Sequence, residues 1–184
     1  APADDLFAPE SLACCVQVLD QHPEAVLCYP KTTLIDAQGQ VLQPYEDNLD
    51  LRQTSPVERY KAAVKQIGMT NIIYGLMRTS VLRQTRLIRS FPGADVVFVT
   101  ELALFGQFHE IDQRLFFRRM HPGASSSILS LEGIQAFMDP KIIHKKDFAR
   151  MWRHLFESMH ALLHAPLTVR ERVRLFLFLM REVI

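Results

Sequence analysis

Ala25-Val26-Leu27-Cys28-Tyr29-Pro30-Lys31-Thr32-Thr33-Leu34-Ile35 is the stretch from which the fold can be read. It is rich in β-formers and bounded by breakers, Pro23 before it and the turn Asp36-Ala37-Gln38-Gly39 after it, so it reads as a strand. Gly39 is free to take the positive φ that such a turn needs, and Val41-Leu42 returns as a short second strand. On the N-terminal side, Leu12, Val16 and Leu19 recur at helical spacing. That spacing predicts a helix over 9–21, with Pro9 at its first position and Pro23 past its end.

Further along, residues 43–54 are polar and aperiodic and read as a surface loop. Ser55-Pro56-Val57-Glu58 is a capping box with proline at the first helical position; it opens a helix that runs to about Ile67, with Gly68 past its end. Residues 71–77 read as a strand or extended pass, 79–84 as a short helix and 94–105 as a buried helix closed by Gly106. Residues 107–111 and 114–119 read as two short strands around Asp112-Gln113, followed by a loop over 122–127. The tail differs in character. Phe148, Met151, Trp152, Leu155, Phe156, Met159, Leu162 and Leu163 are spaced for one helix face, Pro166 interrupts, and Thr168-Val169-Arg170-Glu171 is a second capping box before a last helix. The expected class is therefore α/β: a Rossmann-like mixed sheet with flanking helices over residues 1–128, and a helical appendage over 129–184.

The 184 residues are 48% hydrophobic and 22% charged, with a formal net charge of +1. That composition excludes general disorder and gives no clustered basic excess of the kind nucleic-acid binding requires. Cys14, Cys15 and Cys28 are odd in number and include an adjacent pair, which fits a reducing, cytoplasmic compartment rather than a disulfide framework. No apolar run is long enough to cross a bilayer. The chain opens on an acidic stretch without an initiator methionine and ends inside an apolar helical pattern, so it reads as a piece of a longer protein.

Several residues have both a chemical and a structural reading. Asp4 and Asp5, just before a helix, suit a hard divalent cation, or serve the helix N-terminus. Asp95 opens an almost wholly apolar helix and is either its N-cap or a general base facing a cleft; Glu101 in the same helix is a buried partner or a surface group. Arg118, Arg119 and His121 end a strand and suit a diphosphate or its metal, or form a solvated strand end. Strand alternation puts Arg119 and His121 on one face and Arg118 on the other, so only one of the arginines shares a site with His121. His160 and His164 have metal-ligand spacing but no third ligand nearby, and read as surface histidines. The last helix has an apolar stripe of Val173, Phe176, Leu177 and Met180 beside Arg170, Arg172, Arg174 and Arg181. It suits packing on the preceding helix or a second chain, or a peripheral contact at the inner face of a membrane.

In order and spacing these pieces resemble family 2 glycosyltransferases of the GT-A fold. The resemblance rests on Asp4-Asp5-Leu6-Phe7-Ala8-Pro9-Glu10-Ser11-Leu12, the helix ending His22-Pro23-Glu24, Leu34-Ile35-Asp36 with Gly39, and Asn71-Ile72-Ile73-Tyr74-Gly75-Leu76-Met77-Arg78. It continues through Asp95, Glu101-Leu102-Ala103-Leu104-Phe105-Gly106 and Leu115-Phe116-Phe117-Arg118-Arg119-Met120-His121, and covers about residues 3–127. Pro2 stands where the first Asp of the family's acidic motif is often found, Ala94 replaces the Glu of its "E-D" motif, and the family's nucleotide-gripping N-terminal half has no counterpart here.

The resemblance implies a set of roles. Asp4, Asp5 and His121 would hold a divalent metal, Mn or Mg, with Arg119 and His121 over the donor diphosphate. Asp95 would be the catalytic base, and Asn71 and Gly75 would border the acceptor or sugar pocket. The implied reaction is inverting transfer from a nucleotide sugar, a UDP-sugar, to a hydroxyl of a glycan or lipid-linked acceptor. The alternatives are a non-catalytic, degenerate transferase domain that binds a glycan or a protein, and a nucleotidyltransferase of related fold.

Overall fold

The computed structural model describes residues 4–121 and 147–183, with the side chains of 147–151 and 183 left aside. Pro2, the loop over 122–127, the boundary at 128 and the side chains of Phe148 and Met151 lie outside the described residues.

The strand read first is present over its whole length. β2 (Ala25–Ile35) is buried at ten of its eleven positions, so both of its faces are covered. It pairs in parallel with β5 (Gln107–Arg119) and antiparallel with β3 (Val41–Tyr45) and β4 (Leu76–Met77), while β1 (Leu6–Phe7) pairs antiparallel with the outer side of β5. The sheet runs β1-β5-β2-β3 and is mixed and open, with helices against it. This is an α/β architecture compatible with a Rossmann-like fold.

α1 (Ser11–Gln21) starts at Ser11, with Pro9 just outside it, and packs Cys15 and Leu19 on Ala25 and Cys28. A second cluster joins Leu27, Tyr29 and Phe108 of the sheet to Ala63 of α2 (Pro56–Gln66) and to Phe98, Val99, Leu102 and Ala103 of α4 (Ala94–Phe105). α3 (Thr79–Leu82) is the expected short helix. Of the first capping box the N-cap half forms, with Glu58 N donating to Ser55 Oγ at 3.4 Å.

Three readings need correction. Residues 43–54 are only in part a surface loop: 43–45 continue β3, and beyond them Asp47, Leu49 and Leu51 are buried between exposed neighbours. Leu51 O accepts from Phe108 N at 3.1 Å and Tyr29 Oη accepts from Leu49 N at 3.2 Å, so long-range partners hold an aperiodic segment in the core. The strands on either side of Asp112-Gln113 are one strand with an outward bulge, because Pro30 opposite has no amide to donate. The register steps from Pro30↔Ile111 to Lys31↔Arg114, and Lys31 Nζ clips the looped-out Asp112 at 2.5 Å. Residues 71–77 are a 3-10 turn over Asn71–Tyr74 followed by the two residues of β4.

The tail forms α5 (Asp147–His164) and α6 (Val169–Val183), with Thr168 and Glu171 capping each other reciprocally. The buried faces are narrower than the apolar pattern. Leu155 and Leu162 of α5 and Leu175, Phe178 and Leu179 of α6 join Val57, Tyr60 and Leu104 in one cluster. Trp152, Phe156, Leu163, Val173, Phe176 and Leu177 are exposed. The buried side of α6 is thus turned by about half a turn from the expected stripe, of which Met180 alone packs against the cluster, and Lys61 and Lys65 of α2 lie over the Phe178 ring.

Candidate functional site

The pairing of β1 with β5 brings the acidic start of the chain to the end of the longest strand. Leu6 faces Phe117 and Phe7 faces Phe116 in register, which carries Asp4 and Asp5 alongside Arg118, Arg119 and His121. Arg119 N donates to Asp5 Oδ1 at 2.7 Å, and His121 Nε2 lies 2.7 Å from Asp4 Oδ2. The Arg119 side chain spans the junction, donating from Nε to Asp4 O at 2.8 Å and from one terminal nitrogen to Asp36 O and Ala37 O at 3.0 Å each. Asp4, Asp5, Arg119 and His121 are therefore together.

The two carboxylates are tuned apart. The hydrogen bond with His121 holds Asp4 below the ordinary aspartate range, helped by the charges of His121 and Arg119. Burial pushes Asp5 up, against the pull of the Arg119 amide.

Arg118 points away, as alternation requires. It donates to Met69 O at 2.7 Å and to Asn71 Oδ1. Asn71 Nδ2 in turn faces Asp47 Oδ2 at 3.5 Å, and Asp47 accepts from Thr32 Oγ1 at 2.8 Å. Both ends of the Asn71 amide are thus engaged in a buried polar chain that ties β5 to the loop before α2. Gly75 is pressed against β2: a Cβ there would meet Cys28 O at 2.6 Å and Tyr29 Cβ at 2.9 Å.

Asp95 is not the N-cap of α4. Gly93 takes that position with φ +81°, a conformation favouring glycine, and Asp95 lies in the first turn, where the helix dipole favours a carboxylate. It is half-buried and has no hydrogen-bond partner among the described residues. Glu101, two turns on, is buried; burial pushes its carboxyl up, and it accepts weakly from Arg86 N at 3.4 Å.

Tyr74 links these groups and was missed in the sequence, although it stands beside Gly75 in the quoted motif. Its ring leans on Phe116 at 5.5 Å between centroids, and Phe116 in turn packs on Phe7 at 4.8 Å. Burial raises the Tyr74 phenol first, and the charges of Asp5, Asp4 and Asp95 raise it further while Arg118 lowers it. One hydroxyl thus senses the acidic pair and the α4 carboxylate together.

The metal question has a second answer in the structure. Among the described residues, the compact three-ligand group is His22, Glu24 and His109, whose ligand atoms all lie within 4.8 Å of one another. Asp5 is drawn toward the Arg119 amide, so Asp4, Asp5 and His121 do not form so tight a set. His160 and His164 stack on each other at 4.2 Å on the surface, as expected. Among the described residues, no helix is long and apolar enough to cross a membrane. No family model matches the chain, and no curated protein matches it.

Proposed function

We propose that this chain is the acceptor- and base-side portion of a GT-A-type domain of a family 2 glycosyltransferase. The reaction is transfer of a sugar from a UDP-sugar to a hydroxyl of a glycan or lipid-linked acceptor, with inversion. The observation that supports it is the convergence at one sheet end of Asp4, Asp5, Arg119 and His121.

In this reading Asp4 and His121 would hold Mn or Mg through a carboxylate oxygen and an imidazole, and Asp5 would join them only by giving up its bond from the Arg119 amide. The cation, when bound, offsets the charge that develops on the leaving diphosphate. Asp95 accepts the proton of the acceptor hydroxyl at a carboxylate oxygen as that hydroxyl attacks the anomeric carbon. A single displacement on the face opposite the leaving group inverts that carbon. Asn71 and Gly75 act from behind the pocket: the first orients Arg118 and the second lets the Tyr74 turn lie close on β2.

A second reading, a non-catalytic transferase-like module that binds a glycan or a protein, draws on Arg119. Its side chain already donates to the carbonyls of Asp4, Asp36 and Ala37, a structural use of the guanidinium.

Calorimetric titration with Mn and UDP, singly and together, separates the two. The transferase reading expects heat only when both are present, lost in Asp4→Asn and in His121→Ala. Absence of binding both by this chain and by any longer protein that carries it would overturn that reading in favour of the second.

A further inference from the structure

We infer that His22, Glu24 and His109 form a binding site for a borderline divalent cation of the zinc class, separate from the acidic pair at the start of the chain. The three come from two parts of the fold. His22 is the C-cap of α1, Glu24 lies one residue before β2, and His109 is the third residue of β5. Because β2 and β5 run parallel, this is the end of the strand pair opposite Arg119 and His121. Ten residues of β5 separate His109 from Arg119, roughly 30 Å of strand. The inference is therefore independent of the proposed glycosyl transfer.

The local sequence forces the approach. A Cβ on Gly106 would meet Val26 Cγ1 at 2.3 Å and Glu24 O at 2.8 Å, so only glycine lets the start of β5 come this close to the start of β2. Gln107 N then donates to Glu24 O at 3.0 Å and fixes the two backbones. Arg78 holds the other side, donating to His22 O at 3.1 Å and to Ala25 O at 2.7 Å. The ligands thus stand on anchored backbone, which is what a preformed site requires.

The donor geometry is close to that of a zinc site. Zinc–nitrogen and zinc–oxygen bonds of about 2.0–2.2 Å at tetrahedral angles put neighbouring donors about 3.3 Å apart. His22 Nδ1 and Glu24 Oε1 are already 3.2 Å apart. His109 Nε2 is 4.0 Å from the same oxygen. Closing that gap takes under about 1 Å, available from rotation of the two rim side chains, 40% and 47% exposed, with the buried His109 fixed.

Two imidazoles and one carboxylate match the donor preference of zinc over magnesium or calcium. His109 is buried, so its ring is held in place, and the charge of Arg52 lies near it. Arg52 is itself balanced by Asp50 at 2.7 Å, and Gln107 Oε1, 3.1 Å from His109 Nε2, is the group that a cation would displace or recruit. The negative end of α1 also faces this corner and favours a cation.

The test uses the whole chain stripped with a chelator and titrated with Zn2+ alone by calorimetry, and with Co2+ alone by visible absorption. The expected result is a single equivalent bound, a tetrahedral Co2+ spectrum, and a melting temperature raised by roughly 5–10 °C at a hundredfold excess over Kd. His109→Ala opens a hole in the core, so the rim variants carry the test. His22→Ala and Glu24→Gln keep the metal-free melting temperature and each weaken Zn2+ binding at least about tenfold. His160→Ala, which removes the stacked surface pair, leaves binding unchanged. Failure to bind Zn2+, binding undiminished in the His22→Ala/Glu24→Gln double variant, or loss of binding in His160→Ala would each overturn the inference.

Discussion

The backbone amide of Arg119 donates to the carboxylate of Asp5 at 2.7 Å, joining residues 114 apart in the chain. That bond divides the labour of the acidic pair. Asp5 latches the chain start onto β5, while Asp4 stands outside with His121. Asp5→Ala should therefore cost about 2 kcal/mol, the usual size of a hydrogen bond to a charged group. Asp4→Asn should cost under about 1 kcal/mol, as for an exposed pair. Urea denaturation of both variants measures the difference; equal losses would refute the division. Under the proposed function, the cheaper Asp4→Asn is the one that abolishes joint Mn and UDP binding.

Gly75 tests the packing behind the site. Its ideal Cβ position is 2.6 Å from Cys28 O and 2.9 Å from Leu27 Cδ1, and a carbonyl in a central strand cannot move aside. Gly75→Ala should destabilise by about 1–3 kcal/mol through overpacking. It should also shift Tyr74, one residue away, off Phe116. Thermal melts and the near-UV circular dichroism of the aromatic group report the two effects; a variant that melts like the parent would show that β2 yields.

Arg59 is buried and has no carboxylate partner among the described residues. It donates to Ala103 O at 2.8 Å, near the end of α4, and to Gln53 O and Thr54 O at 2.7 and 2.8 Å. A charge so placed satisfies one buried and two partly buried carbonyls, and binds the loop before α2 to the helix that carries Asp95. Arg59→Met keeps much of the stem volume and removes all three bonds. The expected loss is about 3 kcal/mol, with amide exchange rising first in residues 49–54. Unchanged exchange there would mean that Leu49 and Leu51 alone hold the loop.

What the sequence disclosed follows from range. β2, α1, α2 and α4 were legible because local periodicity, capping boxes and breakers specify them. The separation of Arg118 from Arg119 and His121 was legible because alternation along a strand is a local rule. The burial of Asp47, Leu49 and Leu51 was not, since Leu49 and Leu51 are held by Tyr29 and Phe108, partners that no window of sequence contains. The continuous β5 was hidden because its bulge answers Pro30 across the sheet. The His22, Glu24 and His109 group was equally out of reach: two of its members flank Pro23, and the third arrives only when β2 and β5 align.

Glu101 should make stability depend on pH. It is 2% exposed, and burial raises its carboxyl above the ordinary glutamate range, with Glu157 adding to the shift and Arg86 and His164 opposing it. A raised folded-state value means that the folded protein binds more protons than the unfolded chain between the two values. This group therefore contributes a loss of stability as pH rises from the unfolded value of 4.5 through the raised folded value, and no further change above it. Glu101→Gln lacks that loss while its side-chain oxygen still accepts from Arg86 N. The variant should gain on the parent as pH climbs from about 4.5 to neutrality and hold the gain beyond. Denaturation curves across that range, taken as the difference between the two proteins, check it; a difference independent of pH would mean that Glu101 titrates normally.

Asp95 carries the sharpest consequence of the proposed function. It is half-buried in the first turn of α4, and its carboxylate has no hydrogen-bond partner among the described residues. A base needs a free lone pair aimed at the incoming hydroxyl, and Asn matches the shape of Asp while removing that basicity. In a longer, active protein that carries this chain, Asp95→Asn should lower turnover by about 10²–10⁴-fold, the usual contribution of a general base. Under that function the donor KM should hardly move, because the diphosphate would be held through the cation at Asp4 and His121. Loss of the charge near the helix N-terminus should cost under about 1 kcal/mol, so the melting temperature serves as the control for folding. Steady-state kinetics with the donor varied at saturating acceptor separate the outcomes. A fall in turnover alone marks Asp95 as the base, and a rise in donor KM with turnover intact assigns it to binding. Unchanged kinetics remove it from the mechanism and leave the acidic pair with His121 as the functional part of this sheet end.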